Sequence, residues 1–449
     1  MTPAEPVSST GRDRVVALLS HVLLGLVVAV PVVFDPRQGY GGSRPKYVVL
    51  MLGAGLAGTL LLGASATGER PLRGNWLVAP VLLFVTATAA STAASDHRTI
   101  SLFGFPGLRH GLTSMLCFAV VLFATVYVAQ AGKARRVLEA LWFGAGGGVL
   151  LFGLGQLQDR LFSHNEGWNW ARPVIAPWTI GSTLGNPNHL CAFLAVLLPV
   201  CIVLGITGTP RQRRLILAMA VVTLVEIGIT LSRGGIVGAV AGLMALGVLF
   251  RGELVRRRRM AIRLTGAAFA LVVLVVIVFG NAGVTKNAPS RLVRAGPGST
   301  LDLRLEVWGA AWQMSAEHPV LGVGPDVFPV LFPAYVSERF MRLYGPFAVA
   351  NGAHNLFFDT LAELGAFGLA SFLALLAVVA LRLRRAWRQV SLADPNRRLL
   401  LGGVAAALVA YLVQASFNTE DIALTLSFWV LVGLAVALST PHVHAANER

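Results

Sequence analysis

Charge is what this chain has least of. Asp, Glu, Lys and Arg supply 13% of its 449 residues, about half the share of an ordinary soluble domain, and that shortage excludes a conventional globular enzyme. Cysteine is nearly as scarce. Cys117, Cys191 and Cys201 all lie in apolar runs, where they read as small buried hydrophobes, so neither a disulfide framework nor a zinc site is indicated. Nucleotide signatures are missing too: there is no P-loop, no G-x-S-x-G elbow and no dinucleotide fingerprint. A group transfer on this chain would then draw its energy from an activated substrate and not from ATP. Internal repeats and low-complexity tails are also lacking. The first apolar run has no clear A-x-A-like site after it, so it is expected to stay as a span.

Apolar residues fill the space, at 55% of the total. A helix needs roughly 20 residues to cross about 30 Å of hydrocarbon. Twelve apolar runs approach that length, near 15–34, 47–66, 76–95, 112–130, 137–157, 188–207, 214–231, 234–250, 263–281, 355–381, 399–417 and 422–440. The seventh and eighth are short and separated only by "SRGG". The expected fold class is an all-α polytopic membrane protein. Nine spans fall within 1–281, a long loop occupies 282–354, and three spans fall within 355–449.

The formal charge of +16 does not point to nucleic acid, because the spans divide it between two sides. With a cytoplasmic N-terminus, arginine-dense segments such as "RRRRMAIR" and "RLRRAWRQ" fall inside, as the positive-inside bias requires. Polar, aromatic, Gly and Pro residues gather in the outer segments: "DPRQGYGGSRPK", "SDHRTISLFGFPGLRHG", the stretch around "HNEGWNWARPVIAPWTIGSTLGNPN", "SRGG", the long loop and "FNTED". The informative chemistry is therefore expected on the outer face. Within the long loop, "STLDLRLEVWGAAWQMSAEHP" has the period of a helix. Ser299 and Asp302 fit a capping pattern, and Leu301, Leu305, Trp308 and Trp312 recur on one apolar stripe. A Trp-bearing stripe suits the membrane–water interface. Arg304, one turn before Trp308, points to the same side.

Five groups of residues could carry chemistry. Arg233 interrupts an apolar stretch, and charge at such a position marks function by default. The alternative is a snorkelling side chain that only defines a turn. Gly234 and Gly235 let a backbone approach a ligand, and the helix beginning there would aim its N-terminus at an anion. Arg291, Arg294 and Arg304 form a basic set on the side where positive charge is disfavoured. Anionic lipid headgroups and a phosphate ligand are both open for the first two, and guanidinium suits phosphate through its planar fork. His354, in "GAHNLFFDTLAELG", is either a neighbour of a helix cap or a general base. No second His stands three or four residues on, so no metal is indicated. His110 and His189 are weaker candidates. Asn186 and Asn188, in "GNPN", read first as a helix cap.

Taken in order, "GNPN", "SRGG", "LRLEVWGAAW", "HPVLGVGPDVF" and "HNLFFDTLAELGAFGL" resemble the O-antigen ligase and polymerase superfamily of bacterial envelope glycosyltransferases. The resemblance runs from about 100 to 440 and is strongest over 181–370. It implies a GT-C-like membrane transferase with its large periplasmic loop before the tenth helix. The implied donor is a glycan on undecaprenyl diphosphate. The implied acceptor is a sugar hydroxyl of lipid A–core for a ligase, or another lipid-linked glycan for a polymerase. No cofactor is implied. Carried over, Arg233 and Arg304 grip the donor diphosphate, Arg109 in "GLRHGL" assists them through a looser match, and His354 serves the acceptor. The implied location is the inner membrane with a periplasmic site. A transporter of lipid-linked sugars is the reading from another class; it would need polar groups deep inside several spans and repeat symmetry.

Overall fold

The computed structural model describes residues 9–35, 43–66, 76–162, 180–251, 300–345, 348–390 and 394–440. Every regular element among them is helical. In chain order these are α1 (Ser9–Val32), α2 (Ser43–Ala66), α3 (Val78–Ala94), α4 (Arg98–Phe103), α5 (Leu112–Val128), α6 (Ala134–Glu139), α7 (Gly147–Phe162), α8 (Pro187–Thr207), α9 (Pro210–Thr230), α10 (Arg233–Leu249), α11 (Thr300–Glu317), α12 (Phe328–Tyr335), α13 (Glu338–Tyr344), α14 (Leu356–Gln389), α15 (Pro395–Ala415) and α16 (Ile422–Ser439). Helix stands at each expected span except 263–281, which lies outside the described residues together with Arg291, Arg294 and Ser299. Among the described residues seven helical stretches are long and apolar enough to cross a membrane, one of them the kinked run Leu112–Gln158. Val78–Ala94 and Arg233–Leu249 are shorter apolar helices.

Helix starts follow from capping chemistry. Asn186, Ser232, Asn355 and Asp421 each accept a backbone N–H from the first turn of α8, α10, α14 and α16, meeting donors that the helix itself leaves unpaired. Asn186 is thus a cap, with its side chain 2.8 Å from the Asn188 N–H. α16 is apolar all round and 94% buried over its span window, as a helix at the centre of a bundle must be. It packs on α5, α14 and α15.

α8, α10 and α15 form the closest trio, and glycine explains the approach. A Cβ at Gly235 would collide with Cys191 Sγ, and one at Gly238 would lie 2.6 Å from Gln414 Cβ. Small residues let helix backbones meet where lipid offers no hydrophobic gain. Gly238→Val is therefore expected to cost about 1–3 kcal/mol through overpacking, read as a lower thermal midpoint of the detergent-purified protein.

α14 is two helices joined at a break. Gly365 sits at φ 66°, ψ −170°, which only glycine adopts at no cost. The break frees the carbonyls of Ala362 and Glu363, and the loop 318–328 takes them: Val323 N–H donates to Ala362 O at 3.0 Å and Gly324 N–H to Glu363 O at 2.9 Å. In return Ala366 N–H donates to Pro319 O at 2.8 Å. A second apolar core forms over this junction from Val307, Ala310, Ala311 and Met314 of α11 with Phe328, Phe332 and Phe340.

That core takes one face of α11, through Val307, Ala310, Ala311 and Met314. Leu305 and Trp312 of the apolar stripe lie outside it, 55% and 63% exposed. One correction concerns Lys46, expected in an outer loop. It lies in α2, fully buried, and donates to the carbonyls of Val30 and Pro31 at 3.4 and 3.2 Å. Pro31 sits in the last turn of α1, whose carbonyls have no helical partner.

Candidate functional site

Four helices begin, and α9 and α15 end, around the six residues 416–421 that join α15 to α16. This segment is the hub of the site. Arg304 reaches it from α11: its Nη2 donates to Phe417 O at 2.5 Å, and its guanidinium lies 5.8 Å from the Phe417 ring centre. α10 meets the same place, because a Cβ at Gly234 would lie 2.9 Å from Phe417 Cβ and from the Asn418 side chain. Asn355 Nδ2 donates to Ser416 O at 3.1 Å. His189 Nε2 is 3.3 Å from Thr419 Oγ1. Arg233, Arg304, His354 and His189, from four separate segments, thus share one end of the bundle.

Local geometry sets each of them. Leu231 closes α9 in the left-handed region, Ser232 caps α10, and Arg233 is the first residue of the new helix. Arg304 is held through its helix, since Trp308, one turn on, donates Nε1–H to Ala353 O at 2.9 Å and stacks on Phe358. His354 is the next residue, and it is not the cap: Asn355 is. His354 instead sits at φ 52°, a conformation that costs a side chain about 1–3 kcal/mol. Asp359 supports it by accepting the Ala353 N–H at 2.5 Å. Among the described residues the other non-glycine positive φ values fall at Arg109, Ser182, Leu231 and Asp326. Three of these neighbour or hold candidate residues, and such strain clusters at functional sites.

The electrostatics around the hub are dominated by positive charge. Among the described residues no carboxylate pairs with Arg233 or Arg304. Burial, then the charge of Arg233, lowers the Arg304 pKa from its ordinary value. Arg304, Arg233 and the N-terminus of α10 thus lie around the same segment, and positive charge with helix N–H groups is an arrangement that suits phosphate. Beside them, burial first, then Arg304 and His189, push His354 down to about 4. The imidazole is therefore neutral at physiological pH and able to take a proton.

Arg109 is placed differently. Its guanidinium lies 5.7 Å from the Tyr47 ring centre, and its Nε has no partner. The turn that carries it is held by Asp326, whose Oδ2 accepts the N–H groups of Phe105 at 2.6 Å and His110 at 2.9 Å. No contact joins Arg109 directly to Arg233 or Arg304. Asp326→Ala would leave two half-buried donors unpaired, at up to about 1–3 kcal/mol each. A lowered thermal midpoint is expected, with Asp326→Asn losing less because its amide oxygen still accepts.

Sequence reasoning does not reach the hub. "FNTED" shows only as a last short loop, and nothing local distinguishes Phe417 O or Thr419 as contact points. Asp326 and Asp359 likewise read as turn and helix residues. The one available signal is a run of polar side chains between two apolar helices. Also unforeseen is an acidic side chain inside the bundle: Glu226 of α9 is fully buried, with neither oxygen hydrogen-bonded.

Residues 218–373 match the family model described as O-antigen ligase. The matched stretch contains Arg233, Arg304, His354 and Asp359. It leaves out Arg109, Asn186, His189 and the hub. No curated protein matches the chain.

Proposed function

We propose that this member of the O-antigen ligase and polymerase superfamily moves a glycan from undecaprenyl diphosphate to a sugar hydroxyl of lipid A–core, at the periplasmic face of the inner membrane. The observation that carries the reading is the pair Arg233 and Arg304, without counter-carboxylates among the described residues, beside a neutral imidazole on a strained loop.

The chemistry follows from charge. The acceptor hydroxyl gives its proton to His354 as its oxygen bonds to the anomeric carbon. The bond from that carbon to the diphosphate oxygen breaks, and undecaprenyl diphosphate leaves with the electron pair. Arg233 and Arg304 stabilise the charge that grows on this leaving group, and preorganised stabilisation of this kind often supplies most of an enzyme's rate enhancement. One displacement inverts the anomeric configuration. No step in this sequence calls for a metal. Arg109, beside Tyr47 and Asp326, fits a supporting role near the site and not a grip on the same phosphates.

The test uses purified full-length chain in vesicles with donor lipid and lipid A–core. Glycan banding on the core supports the ligase. Longer lipid-linked chains with unmodified core make it a polymerase on the same scaffold. Neither product, with intact donor recovered, overturns both.

A further inference from the structure

Three carboxyl side chains near the site are committed to backbone and not to ion pairs. Asp359 and Glu363 stand one turn apart in α14, ahead of the Gly365 break, and that spacing puts them on one face. Asp359 accepts the Ala353 N–H at 2.5 Å and also the Asn355 N–H, so it holds the residues on both sides of His354. Gly352 permits this close approach, since a Cβ there would lie 3.0 Å from Asp359 Oδ1. Glu363 accepts the N–H of Asp326 and, at 3.4 Å, that of Phe328. Asp326 in turn accepts the N–H groups of Phe105 and His110, which bracket Arg109. Among the described residues none of the three acids forms an ion pair.

A carboxyl group suits this task. It offers two acceptor oxygens, and a strained segment leaves N–H groups that no helix satisfies. Each of the three acids takes two such groups. Among the described residues five non-glycine residues have positive φ, and three of them, His354, Asp326 and Arg109, belong to the segments held in this way. Strain of that kind persists only where the surroundings over-determine it. The links run in series: α14 holds the loop at 326–328, and that loop holds the turn at 105–110. The turn presents two side-chain nitrogens with no hydrogen-bond partner, Arg109 Nε and His110 Nε2, and open donors of this kind are ones that a substrate can meet.

We propose that Asp359, Glu363 and Asp326 are positioning residues: one face of α14 sets the His354 loop directly and the Arg109 turn through Asp326, and so fixes the distance between base and arginine. The roles of His354 and Arg109 rest on the transferase reading; the backbone relay does not.

The experiment measures hydrogen exchange of the full chain in nanodiscs by mass spectrometry, on peptides covering 105–110, 326–328 and 353–355. Glu363→Ala should lower protection about ten-fold at 326–328, the worth of roughly one hydrogen bond, and also at 105–110, where Glu363 holds no N–H itself. Asp359→Ala should lower it at 353–355 and leave 105–110 unchanged. Peptides from α8 and α16 report whether each variant is folded. Where an alanine variant is not, Glu363→Gln or Asp359→Asn takes its place; each keeps one acceptor oxygen, and the same pattern is expected at smaller size. Exchange at 105–110 that no folded Glu363 variant moves overturns the relay, and so does an equal rise in every segment. Glycan transfer supplies the readout that a merely structural role would not move. Glu363→Gln should add nothing to the loss caused by Arg109→Ala, because it acts through that residue; losses that multiply overturn the link. The expected exchange pattern in a chain that transfers nothing defeats the transferase reading alone. Transfer by a chain without the pattern defeats the relay alone.

Discussion

Replacing His354 by alanine is expected to slow glycan transfer by about 10²–10⁴-fold, the range of a positioned general base. The loss should fall on kcat more than on KM, because the imidazole acts on the proton in flight and does not hold the donor. The pH profile carries the sharper test. With its pKa near 4, His354 is neutral in the free protein at any pH above that value. The quantity kcat/KM reports groups of the free enzyme, so it should stay level down to about pH 4 and fall below. A bound diphosphate offsets Arg304, one cause of the lowered value, and raises His354 toward the working pH. The profile of kcat should therefore break at higher pH than that of kcat/KM. Stability moves in the same direction. The unfolded imidazole titrates near 6.5, so between about 4 and 6.5 the unfolded chain holds more protons, and stability rises with pH through that window. A His354→Ala variant within ten-fold of wild type, or a kcat/KM break near 6.5, removes His354 from the role of base.

Arg304→Ala and Arg233→Ala should each lower kcat by about 10²–10³-fold, as loss of one preorganised donor does. The two guanidinium groups face one segment and repel each other, so their effects should not add. The double variant is expected to lose less than the product of the single losses, as neighbouring sites in one network do. Arg304→Lys keeps the charge without the planar fork and should fall between alanine and wild type. One readout separates binding machinery from mere structure. Arg304 lowers the His354 pKa, so Arg304→Ala must move the kcat/KM break upward. An unshifted break in an active Arg304→Ala protein would show that the two residues do not share a site. Arginines whose removal raised only KM would be grips on the ground state, and the leaving-group assignment would fail.

Much of this was legible in the chain. Asn186 stands directly before an apolar run and caps the helix that follows, as its turn predicts. The approach of Arg304 and Trp308 to one side followed from their spacing, and both contact the site. Failures came where the answer depended on partners distant in sequence. The apolar stripe of α11 was legible from its period, but the face through Val307, Ala310 and Met314 that enters the second core was not, because periodicity does not say which side meets α14. Gly365 reads as an ordinary helical glycine until the loop 318–328 is laid across it.

By itself, then, the sequence determined the kind of object and the inventory of its chemistry. Apolar runs of membrane length leave the backbone no way to satisfy its hydrogen bonds except as helices. Charge and imidazole confined to short interruptions must lie near helix ends. Tertiary structure alone decided which interruptions meet. Residues 416–421 gather Arg304, Asn355, His189 and α10 through backbone carbonyls and small side chains. Such contacts have no residue-type signature, since every residue carries a carbonyl and its availability depends on where a helix happens to end.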